Sequence, residues 1–147
     1  MLNAVKQEEA TGCGIAVVAN ILGKSYATMK ASANAMGIHA SDEALWSDTQ
    51  YVRRMLSEAG VKTSPHECPF ESWEALPDLA LLSIKHHQHK GKHFWHWVVF
   101  RRVDGRVFVL DSAKDVPSSI REDFHAMRPT WFIEVENLLD QPEGINQ

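Results

Sequence analysis

The stretch Phe94-Trp95-His96-Trp97-Val98-Val99-Phe100-Arg101-Arg102-Val103-Asp104-Gly105-Arg106-Val107-Phe108-Val109-Leu110-Asp111 decides the fold. Asp104–Gly105 is a strong two-residue turn signal, and the β-branched and aromatic runs on either side predict an antiparallel hairpin. A two-residue turn places Phe100 opposite Val109 and Val98 opposite Asp111. Side chains alternate between faces along a strand, so His96 shares the face of Val98 and Phe100. Asp111 is then its diagonal neighbour, about 7–8 Å away by Cα and within reach of two side chains that lean together. Val98, Phe100, Val107 and Val109 make this face apolar. Trp95, Trp97 and Phe108 take the other face, expected to be core under helices, or a substrate surface if exposed. A turn of odd length would reverse every one of these assignments.

Working outward, residues 79–85 form an apolar run after Pro77, and 131–135 read as a further strand. Residues 118–127 are expected to form a short helix, with Pro129 beyond its end. The first half of the chain reads helical. Residues 14–22 are small and apolar and stop at Gly23; residues 25–36 are rich in Ala and Met and stop at Gly37. Ser47 and Gln50 have capping-box spacing, and Leu45, Thr49, Val52 and Leu56 then recur on one helical face up to Gly60. Helices followed by an antiparallel sheet predict an α+β fold.

With 147 residues the chain is expected to be one domain, with a helical half over about 1–75, a sheet half over about 76–137 and a tail over 138–147. A net charge of −4 gives no electrostatic footprint for nucleic acid or an anionic membrane. The longest apolar run, 15–22, contains Asn20 and is far short of a membrane span, so no membrane insertion and a cytoplasmic location are expected. The two cysteines, Cys13 and Cys68, form no CxxC pair and are too few for a disulfide scaffold.

Cys13 lies in Ala10-Thr11-Gly12-Cys13-Gly14-Ile15-Ala16-Val17, directly before the first helical run. Unpaired N–H groups and the helix dipole at such a position stabilise a thiolate. Gly12 and Gly14 remove bulk, so a substrate backbone could approach the sulfur. The plainer reading is a small buried cysteine at a tight turn. Gln7 adds a second element of the same chemistry, because a side-chain N–H shortly before the cysteine, with the cysteine's own N–H, can face a developing oxyanion.

Of the eight histidines, five fall within residues 86–96. A base that must hold one geometry belongs on a sheet rather than a loop, which favours His93 or His96 over His86, His87 and His89. The hairpin register selects His96. Asp111 would accept a hydrogen bond from one imidazole nitrogen and leave the other for the thiol. Its plainer role is to cap a turn together with Ser112. Cys68 is read as structural. His86, His87, His89 and His93 could bind a metal, but no partner spacing supports a zinc site, and no metal or cofactor is expected.

Gln7, Glu8 to Gly12, Cys13-Gly14 and the apolar helix ending in Leu22-Gly23-Lys24 resemble the N-terminal motif of the bacteriocin-processing cysteine peptidases. His96-Trp97-Val98-Val99-Phe100 and Val107-Phe108-Val109-Leu110-Asp111 resemble that family's His and Asp strands. The resemblance runs from about residue 5 to about residue 135. It implies a papain-like fold, with Cys13 as nucleophile, His96 as base, Asp111 as orienting acid and Gln7 in the oxyanion hole. It also implies a peptide or protein substrate touching Gly12, Gly14 and Trp97, cleavage after a double-glycine site, and a separate transporter or modifying enzyme as a partner. Gly12 stands where that family often has Asp, Ile15 where it often has Pro, and Ser112 where Pro commonly follows. Other functions consistent with these residues are a cysteine deamidase or acyltransferase, a catalytically silent domain that binds a peptide or protein, and a His-rich metal-binding protein.

Overall fold

The computed structural model describes residues 13–40, 42, 48–89, 91–111 and 120–136, without the side chains of 86–89, 92 and 93. Gln7, Gly12 and the expected tail over 138–147 lie outside the described residues, as does Ser47 of the expected capping box.

Three helices come first: α1 (Cys13–Leu22), α2 (Tyr26–Ala35) and α3 (Gln50–Glu58). Every residue of α1 from Gly14 to Ile21 is buried, as expected of a helix apolar on all sides. Helix α2 starts at Ser25, whose hydroxyl accepts a hydrogen bond from the Thr28 N–H at 3.1 Å. At the start of α3 it is Asp48 that serves, its Oδ1 accepting the Gln50 N–H at 2.9 Å.

The sheet is built from β1 (Cys68–Pro69), β2 (Leu79–His89), β3 (Lys92–Val103), β4 (Arg106–Leu110), β5 (Ile120–Arg121) and β6 (Trp131–Glu134). The order is β1-β6-β2-β3-β4-β5, and every neighbouring pair is antiparallel. The turn between β3 and β4 has two residues, Asp104 (φ 51) and Gly105 (φ 80), both in the left-handed region a type I′ turn requires. Phe100 accordingly pairs with Val109 and Val99 with Leu110, the register expected from the sequence.

Two corrections concern the connections. His86, His87 and His89, expected off the sheet, continue β2, and Lys92 and His93 begin β3, with His89 paired to Lys92. Of the helix expected over 118–127, the described residues 120–127 hold a last turn, α4 (Phe124–Met127), while Ile120 and Arg121 are drawn out as an edge strand against Leu110 and Val109.

The alternation along β2, β3 and β4 sends side chains into two cores. On the helical side, Leu79, Leu81, Trp97, Val99 and Leu110 pack against α1, α2 and α3. On the other, Ala80, Leu82, Ile84, Val98, Phe100 and Val109 are covered by Leu76, Met127, Trp73, Phe70 and Phe124. Burial at about 25 cal/mol per Å² of apolar surface makes these two faces the main source of stability. Among the described residues, no helix is long and apolar enough to cross a membrane.

Candidate active site

His96 and Asp111 meet at the end of the β3–β4 ladder. Asp111 follows the last paired residue of β4, and its Oδ1 lies 2.7 Å from Nε2 of His96. The diagonal relationship read from the hairpin is therefore a direct hydrogen bond. The Asp111 carboxylate is fully buried and the His96 side chain only 14% exposed, so water does little to weaken their attraction.

Cys13 approaches the same ring. It is half-buried on the helical side, at the first described residue of α1, and its thiol is near enough to His96 to help raise the pKa of the ring. With Nε2 engaged by Asp111, Nδ1 is the nitrogen left for the sulfur. His96 shares face parity with the opposite core, yet it meets Cys13 beyond the last β3–β4 pair, Val99 with Leu110, where β3 keeps only β2 as a neighbour. Burial is the largest single influence on the imidazole and pushes its pKa down. The hydrogen bonds and negative charge of Asp111 and Cys13 together outweigh it and leave His96 raised to about 9.

Arg121 is a member of this group that the sequence did not reveal. Its Nη1 donates to Oδ2 of Asp111 at 2.9 Å, so the buried carboxylate is gripped between His96 and a guanidinium. Arg121 is held in turn by Asp123 through two bonds of 2.9 and 2.6 Å. The sequence signal is one cation followed by two acids in Arg121-Glu122-Asp123, and the short strand that aims it falls inside the stretch expected to be helix.

Two residues expected to touch substrate have internal roles. Gly14 is buried, and the space a Cβ would occupy there is filled by the ring and hydroxyl of Tyr51. Trp97 is 1% exposed, and its indole N–H donates to the Tyr51 oxygen. Burial, followed by the nearby Cys13, raises the Tyr51 phenol far above its ordinary value, so it stays neutral. Trp97 also stacks edge-on with Trp95 and Trp131, at 5.8 and 5.3 Å between centroids. These indoles pack against the helical core that Cys13 also borders. Trp95 and Trp131 reach a surface cleft of about 550 Å³, lined also by Asp48, Thr49, Glu67 and Thr130.

Cys68 is half-buried and free like Cys13, with its sulfur 3.9 Å from the His66 carbonyl oxygen. Among the described residues, no group of three or more His, Cys, Asp or Glu side chains is placed to hold a metal ion. The side chains of His86, His87, His89 and His93 lie outside the described residues.

No family model and no curated protein matches the sequence. Among the solved structures that are similar is a double glycine motif protease from an AMS/PCAT transporter, crystallised in complex with the leader peptide. The match covers 92% of this chain and 91% of that one, with a TM-score of 0.59 and 15% identity. The fold is that of a papain-like peptidase. The expected α+β class, with helices leading into an antiparallel sheet, is the architecture observed.

Proposed function

We propose that the chain is a thiol-dependent peptidase or amide hydrolase that acts on a peptide substrate. One observation carries the reading: the His96 imidazole lies 2.7 Å from the buried Asp111 carboxylate, and the Cys13 thiol is near enough to act on the same ring. A thiol poised on an oriented base is the arrangement nucleophilic catalysis needs.

In the proposed reaction His96 takes the Cys13 proton at Nδ1 and becomes an imidazolium, while Asp111 holds Nε2–H and fixes the ring. The thiolate sulfur bonds to the substrate carbonyl carbon, and the carbonyl oxygen takes up negative charge. The Cys13 N–H and the Gln7 side-chain N–H are assigned to that oxyanion. The C–N bond then breaks as the imidazolium protonates the leaving amine, giving a thioester. Water, deprotonated by His96, attacks the thioester, releasing the acid and returning the proton to Cys13. Tyr51 and Trp97 support the thiol from inside.

The leader peptide bound by the similar protease supports a leader peptide as substrate, and cleavage after a double-glycine site is the specific form proposed. Deamidation and acyl transfer would use the same thioester and differ only in who delivers or accepts the acyl group. The test is incubation of the protein with short peptides carrying a double-glycine leader, followed by mass spectrometry. Cleavage by wild type that is lost in Cys13→Ala is the expected result. An intact peptide, together with Cys13 alkylation no faster than that of a free thiol, would mean a silent binding domain instead.

A further inference from the structure

Building on the thiol-hydrolase reading, we infer that Arg121 is a positioning residue of this site: through Asp111 it fixes the carboxylate that orients His96, and Asp123 fixes Arg121 in turn. Four side chains form one line of alternating charge. His96 meets Oδ1 of Asp111 at 2.7 Å, and Arg121 meets Oδ2 at 2.9 Å. Arg121 then gives Nε and Nη2 to the two oxygens of Asp123, a fork-to-fork pair that locks the guanidinium plane.

Burial explains why a second cation is needed. Asp111 has no exposure to solvent, and a carboxylate in that position keeps its charge only where cations and donors face it. His96 cannot be the only such partner, because its own charge comes and goes during the reaction. Arg121 is charged throughout, so Asp111 stays ionised in the half-cycle when His96 is neutral. The guanidinium also fixes which way the carboxylate plane faces, and hence where Oδ1 meets the ring. Arg121 is 16% exposed and reaches no reacting atom, so its effect passes through Asp111.

Several packed elements bring described groups up to this line. Cys13 of α1 faces His96, with Tyr51 and then Asp48 behind the thiol. On the far side, His125 of α4 acts on Asp123, while Glu122 turns away to Arg106 at 3.9 Å. Arg121 is thus a cation in direct contact with the Asp111 carboxylate on the side away from His96.

The experiment uses the full chain with Cys68→Ser and follows iodoacetamide labelling of Cys13 from about pH 4 to about pH 10. Wild-type labelling that persists at about pH 6 and disappears in His96→Ala establishes the ion pair. Its absence would defeat the hydrolase reading without reference to Arg121. Given that ion pair, Arg121→Gln is expected to move the acid limb upward by about one to two pH units, a drop of about 10- to 100-fold in rate at low pH. Arg121→Lys, which keeps the cation, should recover much of the loss. A role confined to folding would lower the melting temperature and leave the limb where it was. Coincident wild-type and Arg121→Gln curves overturn the inference. If Arg121→Gln does not fold, Asp123→Asn loosens the guanidinium from its outer side. A smaller upward shift in that variant then supports the inference, and an unmoved limb overturns it.

Discussion

The phenol of Tyr51 occupies the space that a side chain on Gly14 would need, directly beside the cysteine at the start of α1. Tyr51 is 7% exposed and hydrogen-bonded to Trp97, so it has nowhere to retreat. Gly14→Ala is therefore expected to destabilise the protein by about 1–3 kcal/mol through overpacking, and to displace the Cys13 backbone. Urea denaturation gives the first effect and the rate of Cys13 alkylation the second. A Gly14→Ala protein as stable as wild type would show that Tyr51 yields freely.

Asp111 and His96 should fail in different ways. His96→Ala removes the base and is expected to reduce peptide cleavage by about 10²- to 10⁴-fold. Asp111→Asn keeps the shape but presents an amide to Nε2 and to Arg121, so either the ring or the guanidinium meets a donor where it needs an acceptor. It is expected to reduce turnover with little change in KM, since Asp111 is buried and does not touch substrate. Steady-state kinetics on a cleaved peptide separates the two constants.

The raised His96 pKa has a signed consequence for stability. Its ring holds a proton more tightly in the folded protein, at about 9, than at its ordinary value of 6.5. The stabilisation is complete below about pH 6.5 and is lost as pH rises through about 9. The stability gap between wild type and His96→Gln, from urea midpoints, should be widest near pH 6 and close above about pH 9. Cys13→Ala removes two of the influences that raise the ring, so its His96 should titrate at lower pH by NMR.

The hairpin was legible because a two-residue turn at Asp104–Gly105 fixes register, and register fixes faces. From that alone came the diagonal pairing of His96 with Asp111 and the core side of Trp97. Arg121 was hidden because a two-residue edge strand has no periodicity, and the neighbouring helical turn was extended across it. The reason for Gly14 was hidden as well. A glycine beside a cysteine reads equally as an opening for substrate or for a side chain arriving from inside, and only the packing of α3 under α1 identifies Tyr51 as the occupant. The helical starts were partly legible. Ser25 caps α2 through its own side chain, whereas at α3 the neighbouring Asp48 takes the bond expected of a capping box.

Trp73 offers a way to separate the fold from the site. It lies on the face opposite the helices, 4.9 Å from Phe124, 5.2 Å from Phe70 and 6.0 Å from Phe100 by ring centroids. Its backbone carbonyl and that of Leu76 also accept from Arg102, which ties this cover to β3 through groups a side-chain truncation leaves in place. Trp73→Ala should therefore cost about 3 kcal/mol, toward the low end for a large aromatic because the indole is half-buried. Neither Cys13, His96, Asp111 nor Arg121 is among its ring partners. The pH profile of Cys13 alkylation should thus match wild type under conditions where the variant is folded. A shifted profile in fully folded Trp73→Ala would mean that the cover over Phe100 also sets the position of the His96 strand.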